Sequence, residues 1–201
     1  MADLWAFEKE ARRVGFEKIA GIDEAGRGPL AGPVVSAAVI LPERIYIPEL
    51  DDSKKLSPQK RDRLYKEIYN QAISIGIGIV DAAEIERINI LRASLIAMKI
   101  AVENLDPAPD FLLVDGIFRV PKSLPQETIK KGDKRCMSIS AASIVAKVSR
   151  DRMMEIYDLD YPVYGFSRNK GYGTKEHRIA IQTFGCCPIH RKTFRGVKEY
   201  R

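Results

Sequence analysis

The sequence predicts a mixed α/β fold, one sheet of five strands with helices on both faces. Three observations lead there. Val34 to Leu41 is almost entirely apolar, as a strand covered on both sides must be. Residues 72 to 80 alternate instead, with Ile73, Ile75, Ile77 and Ile79 on one face and Ser74, Gly76 and Gly78 on the other. Between and after the strands, apolar residues recur at helical spacing, which supplies amphipathic neighbours to bury the sheet.

In chain order, residues 4 to 13 read as a short helix, and Phe16 to Asp23 as a first strand running into Ala25-Gly26-Arg27-Gly28-Pro29. Val34 to Leu41 is the second strand. Ser57-Pro58 opens a helix to about Asn70, because Ser caps exposed N–H groups and Pro is preset for the first helical position. Residues 72 to 80 form the third strand. From Ala83 to Asn104, the positions Ile88, Leu91, Leu95, Met98 and Val102 mark one long amphipathic helix. Phe111 to Val114 is a short buried strand that delivers Asp115 at its end, and residues 126 to 132 supply the fifth strand. Ser140 to Leu159 is a helix rich in Ala, Val, Ile and Met. After Tyr161-Pro162 the chain turns basic and polar, with a further helix over Thr174 to Thr183. The expected organisation is a main body over residues 1–160 and a small basic helical segment over 161–201.

With 45% hydrophobic residues over 201 positions, the chain can bury the core of one such domain. No apolar run reaches the roughly 18 residues of a membrane span, and the charged N-terminus lacks the apolar centre of a signal peptide. A cytoplasmic location is expected, and three cysteines, two of them adjacent at Cys186 and Cys187, suit a reducing compartment. The net charge of +6 is unevenly spread: residues 1–115 carry 15 basic and 19 acidic side chains, residues 116–201 carry 18 and 8. A basic half is the electrostatic footprint of a polyanion binder, although a merely solvated basic surface has the same composition.

The residues that carry chemistry are acids at strand ends. Asp23 and Glu24 close the first strand, Asp115 ends the fourth in Val-Asp-Gly, and Asp133 lies in Lys-Gly-Asp-Lys before a helix. Neighbours on a regular strand point to opposite faces, so a shared site is expected to need a break in the strand at Glu24. Four acids held together repel one another and resist ionisation unless a cation compensates. Oxygen-only ligation selects Mg²⁺ or Mn²⁺, and two such ions suit an in-line phosphodiester displacement. Taken singly, each acid is as readily an ordinary turn or solvated strand end.

Gly21-Ile22-Asp23-Glu24-Ala25-Gly26-Arg27-Gly28-Pro29-Leu30-Ala31-Gly32-Pro33-Val34 resembles the opening motif of the ribonuclease HII family, the type 2 ribonucleases H. Further blocks resemble the family in order: Asp52-Ser53-Lys54-Lys55-Leu56-Ser57, Val114-Asp115-Gly116, Lys131-Gly132-Asp133, Ser138 to Asp151, Lys170-Gly171-Tyr172-Gly173-Thr174 and His190-Arg191-Lys192-Thr193-Phe194. The resemblance implies a ribonuclease H-like fold with a small C-terminal helical segment. It also implies cleavage of the RNA strand of RNA/DNA hybrids, and cleavage 5′ to single ribonucleotides embedded in duplex DNA, leaving 3′-OH and 5′-phosphate ends.

By motif position, the resemblance makes Asp23, Glu24, Asp115 and Asp133 metal ligands for Mg²⁺ or Mn²⁺. Gly26, Arg27 and Gly28 become the loop that reads the ribose 2′-OH, and Tyr172 the ring packed on the sugar of the next nucleotide. The chemistry agrees, since glycines admit close backbone approach and a 2′-OH both donates and accepts. Gly173 stands where the family pattern often has Pro, which bears on the rigidity of the Tyr172 loop. Lys54 and Lys55, before a helix N-terminus, are expected phosphate contacts.

Other conspicuous residues have plainer readings. His177, Cys186, Cys187 and His190 lack the spacing of a zinc site. Asp151, between Arg150 and Arg152, is expected in an ion pair, and Ser143 reads as small-residue packing in an Ala-rich helix. No segment resembles a clamp-binding tail, so a monomer without an obligatory protein partner is expected. From residues alone, a non-catalytic duplex-binding module and a junction-resolving nuclease of the same fold remain rival readings.

Overall fold

The computed structural model describes residues 3–43, 45, 47, 50 and 56–200, so Lys54 and Lys55 lie outside the described residues. Five strands form one sheet: β1 (Ile19–Ala25), β2 (Val34–Ile40), β3 (Ser74–Val80), β4 (Phe111–Asp115) and β5 (Gln126–Ile129). Their spatial order is β3-β2-β1-β4-β5. The first three are an antiparallel meander, and β4 and β5 continue the sheet parallel to β1. The helices are α1 (Ala6–Arg13), α2 (Pro58–Gln71), α3 (Ala82–Ile88), α4 (Ile90–Glu103), α5 (Met137–Asp160), α6 (Phe166–Asn169) and α7 (Lys175–Phe184).

The five expected strands are all present, and helices cover both faces. On one face α5 and α2 pack on Ala37 and Val39 through Ile144, Val145, Leu64 and Ile68. On the other, α4 buries Ala20, Ile22, Ala38 and Ile40 beneath Met98, Ala101 and Val102. Ser57 caps α2 as its position implies, its hydroxyl accepting from the Lys60 N–H at 3.3 Å. Among the described residues no helix is long and apolar enough to cross a membrane.

Two features depart from the sequence reading. The single helix expected over 83–104 is two helices, broken at Asn89, whose φ is +72°. Its side chain accepts from the N–H groups of Leu91 and Arg92 at 3.0 and 3.1 Å, so one residue ends α3 and caps α4. Apolar spacing runs straight through this joint, which is why periodicity does not reveal it. Asn combines tolerance of a left-handed backbone with a capping oxygen, and both are used here.

In β3 the alternation is present, but its tightest contact is on the glycine face. Ile73 and Ile79 are about half exposed, whereas Gly76 and Gly78 press on the backbone of α4. A Cβ at Gly78 would lie 1.9 Å from the Ala97 carbonyl oxygen, so only glycine lets α4 lie that close to the sheet.

The C-terminal segment has an apolar cluster of its own, including Tyr164, Phe166, Ile181 and Val197. It shares that cluster with Leu30, Ala31 and Met154 of the preceding chain. An isolated bridge joins Ala31 to His190. These contacts seat the segment directly behind the Gly26–Pro33 loop.

The glycine contact predicts that Gly78→Ala destabilises the fold by about 3 kcal/mol, because backbone rather than a yielding side chain blocks the methyl. Urea unfolding monitored by circular dichroism measures it, and a loss within about 0.5 kcal/mol of wild type would contradict the close approach.

Candidate active site

Parallel pairing of β1 with β4 aligns Ile22 with Val114, so Asp23 and Asp115 leave adjacent strands at the same level. Asp133 arrives from further along the chain, in a short 3₁₀ turn over Gly132–Lys134. That turn is fastened to Asp115, whose Oδ1 accepts from the Gly132 N–H at 2.6 Å. Asp133 is buried, and its carbonyl accepts from the Ser140 hydroxyl at 2.7 Å, which ties the turn to the start of α5.

The expected break at Glu24 does not occur. β1 continues in register through Ala25, with Glu24 opposite Ser36 and Ala25 opposite Val35. Asp23 therefore lies on the α5 side, where Ser143 hydrogen-bonds its carboxylate, and Glu24 on the α4 side beside Leu91 and Ser94, with Asp115 at the end of β4 close enough to act on both. The two acids need not share a face to share a field, because both stand beside the end of β4. The chain turns only after Ala25, at Gly26, whose φ is +100°.

Electrostatics show how closely the acids are held. Burial lifts the Asp23 carboxyl well above the usual range, and the charges of Glu24 and Asp115 lift it further. Burial also raises Glu24, opposed by the Arg27 guanidinium and reinforced by Asp115. Arg27 Nη1 lies 3.2 Å from Glu24 Oε1. Three carboxylates from two distant stretches thus feel one another in a site that disfavours their charge.

Among the described residues no three acidic, His or Cys side chains close into a ready-made ion cage. Their oxygens instead take local donors, the Glu24 N–H on Asp23 at 2.7 Å and Arg27 on Glu24. The donor set nonetheless suits a hard divalent cation: all candidate ligands are carboxylate oxygens, and Glu24 Oε2 is buried without accepting a hydrogen bond among the described residues.

Beside the acids is a cleft of about 350 Å³ lined by Glu24, Gly26, Arg27, Gly28, Ser143 and Tyr172, among others. Tyr172 is 47% exposed, and its ring edge comes within 3.8 Å of where a Cβ on Gly28 would stand. The structure therefore brings the Gly26–Gly28 loop and Tyr172 to one cleft. Backbone hydrogen bonds tie the loop on both sides of Tyr172: the Gly171 carbonyl accepts from the Leu30 N–H at 2.8 Å, and the Tyr172 carbonyl from the Thr174 N–H at 2.8 Å.

One sequence reading needs correction, and another, the ion pair of Asp151, holds with a partner other than its neighbours. Ser143 is not mere packing, since it meets Asp23 and lines the cleft. It is one of several serines among the small residues of α5, which a helical pattern cannot separate from packing. Asp151 is ion-paired, but with Lys147 one turn back at 2.7 Å. Adjacent helical residues do not face each other, so Arg150 turns into the protein and Arg152 pairs with Asp62.

A mixed five-stranded sheet with repelling acids at the ends of β1 and β4, beside a cleft with a glycine-rich loop, defines a hydrolytic nuclease of the ribonuclease H-like class. The family profile described as Ribonuclease HII matches residues 20–197. A ribonuclease HII of Geobacter metallireducens is 59% identical over 197 residues, covering 98% of this chain and 92% of that protein. The crystal structure of the ribonuclease H2 from Pyrococcus horikoshii superimposes with a TM-score of 0.77 at 26% identity, over 92% of this chain and 97% of that one. A ribonuclease HIII solved in complex with Mn²⁺ shares the fold, with a TM-score of 0.68 at 17% identity over 94% of this chain and 71% of that one. The chain belongs to the ribonuclease HII family. It is a ribonuclease H, a phosphodiester hydrolase acting on RNA/DNA hybrids.

The raised carboxyls predict a trade between stability and activity. A carboxyl with a folded-state pKa above its unfolded value costs stability once pH exceeds the unfolded value, and the full loss is reached above the folded one. Asp23→Asn removes that loss, so with EDTA at pH 8 the variant is more stable than wild type by on the order of 1 kcal/mol and unfolds at higher temperature. The gap closes below pH 4. Thermal melts across this range test it, and a wild type as stable as the variant at pH 8 would refute the crowding of charge.

Proposed function

We propose that this ribonuclease H hydrolyses the RNA strand of hybrids and also incises duplex DNA on the 5′ side of a single embedded ribonucleotide, leaving 3′-OH and 5′-phosphate ends. The observation that supports this most is the juxtaposition of the acid cluster with the Gly26–Gly28 loop and Tyr172 in one cleft. A hydrolytic centre lies beside elements suited to reading a sugar. Asp23, Glu24, Asp115 and Asp133 would hold Mg²⁺ or Mn²⁺. When bound, such ions activate the attacking water and stabilise the leaving 3′ oxygen.

The chain's own groups do the rest. Ser143 orients Asp23, and the Gly132 N–H holds one oxygen of Asp115, so each carboxylate keeps a defined direction. Arg27, half exposed, neutralises Glu24 in the structure described here and is within reach of substrate when Glu24 takes a cation instead. The glycines of the loop leave backbone amides approachable by a 2′-OH, which can donate as well as accept. The exposed face of Tyr172 suits a deoxyribose, which has no hydroxyl there to desolvate. Such a pair recognises an RNA–DNA junction. The basic C-terminal half supplies non-specific attraction to the duplex, with Lys54 and Lys55 as further phosphate contacts. The enzyme acts as a monomer, its cleft being formed within one chain.

A labelled duplex with one ribonucleotide, run on a denaturing gel, tests the reaction. The expected result is a single cut 5′ to the ribonucleotide with Mg²⁺ or Mn²⁺, none with EDTA, and none in an all-DNA duplex. Asp115→Asn is expected to fold and to lose activity by roughly 100-fold or more, the scale of removing a charge-stabilising group. Cutting of the all-DNA duplex would sink the ribonucleotide reading and favour a resolvase-like nuclease.

A further inference from the structure

The segment His190-Arg191 touches no carboxylate of the site, yet it is built into both sides of the cleft. Arg191 is fully buried and makes no ion pair among the described residues. Its guanidinium instead donates to four backbone carbonyls, those of Gly26 at 2.6 Å, Arg27 at 3.0 Å, Pro29 at 2.9 Å and Gly32 at 3.0 Å. Burial and the neighbouring Arg150 cation pull its pKa down to about 9, so it remains charged at neutral pH. A trans peptide points its carbonyl and its N–H in opposite directions. With the carbonyls of Gly26 and Arg27 drawn inward to Arg191, the N–H groups of Arg27 and Gly28 face away from it, on the side open to the cleft.

His190 makes the second connection. Its Nδ1 accepts from the Cys187 N–H at 2.9 Å, which leaves the proton on Nε2. Nε2 stands 3.0 Å from His177 Nε2, so that nitrogen accepts, and His177 carries its own proton on Nδ1. His177 Nδ1 then donates to the Tyr172 carbonyl at 2.9 Å. Each donor in this chain meets an acceptor, and the chain ends on the backbone of Tyr172. Both imidazoles are buried and uncharged, with burial pushing His190 down to about 4.

We propose that His190 and Arg191 are positioning residues that set selectivity for an isolated ribonucleotide, by holding the Gly26–Gly28 amides and Tyr172 at a fixed separation across the cleft. The inference rests on the reading of that loop and ring as sugar sensors. Adjacent residues on one bridged segment grip the two sensors, so a 2′-OH and the deoxyribose after it are read at one spacing. A full hybrid offers a hydroxyl at every step and tolerates a loosened gauge. A single ribonucleotide does not.

The test measures kcat/KM on a duplex with one embedded ribonucleotide and on an RNA/DNA hybrid of the same sequence, for wild type, Arg191→Lys and His190→Asn. Lysine keeps the charge but cannot span four carbonyls with a planar fork. Arg191→Lys is expected to lower the ratio of embedded-ribonucleotide to hybrid cleavage at least about tenfold, with hybrid cleavage within about threefold of wild type. His190→Asn is expected to lower the ratio about fivefold, and this loss disappears in a Tyr172→Ala background, because both changes act on one contact.

Equal losses on both substrates, or full additivity with Tyr172→Ala, would reduce the pair to general scaffolding and overturn the proposal. If Arg191→Lys fails to fold by thermal melt, the His190→Asn cycle with Tyr172→Ala decides alone. Wild type that cuts an all-deoxy duplex as well as the ribonucleotide one would instead refute the sensor reading. A discriminating wild type whose variants keep the ratio refutes only the inference.

Discussion

The fit of α5 against β1 is the constraint on which the site depends. A Cβ at Gly21 would lie 2.1 Å from the Ser138 carbonyl carbon, so strand and helix meet backbone to backbone with no room for a methyl group. That contact places Ser143 on Asp23 one and a half turns further along the helix, and Ser140 on the turn that carries Asp133. Push α5 outward by the width of a side chain, and those hydroxyls leave the acids they orient. The close packing on the far side, where α4 lies on Gly76 and Gly78, does the same for the helix flanking Glu24. The sheet thus holds the edge that carries its acids between two helices that glycine alone lets approach.

Into this rigid frame the fold sets a destabilising feature. Asp23 is 4% exposed, Glu24 has a buried oxygen that accepts no hydrogen bond among the described residues, and both feel Asp115. Repulsion of this kind weakens the fold, and the cations that the proposed function assigns to these acids would compensate it, a trade typical of functional sites. The hydrogen bonds from Ser143, Gly132 and the Glu24 backbone keep the carboxylates directed despite it. Arg27 links this charge cluster to the cleft, because the same loop that carries it presents the approachable amides.

The tail plays a larger part than its composition suggests. Its charge reads as attraction for a duplex, but its buried Arg191, like Arg150 of α5, does not face solvent at all. Arg150 and Arg191 spend their donors on backbone carbonyls of the Ala31, Pro33 and Lys170 peptides and of the Gly26–Gly32 loop. Buried guanidiniums are suited to this, since a planar fork of five donors can gather several carbonyls that would otherwise lack partners. The loop keeps its shape because a segment more than 150 residues away in sequence holds it from behind.

The five strands, the cap at Ser57 and the helix of α5 are local matters of period and end chemistry, and the chain alone declares them. The four acids are visible in the same way, since polar residues ending apolar runs stand out, and ordered blocks of resemblance assign them a common purpose. What the chain cannot declare is any property that requires two distant segments to be in contact. The joint at Asn89 interrupts no period, Ser143 is indistinguishable from its small neighbours, and β1 need not break at Glu24 because Asp115 comes to it from the next strand. The roles of His190 and Arg191 are likewise set by where their partners lie, because a hydrogen bond to a backbone carbonyl leaves no mark on the identity of the residue that accepts it.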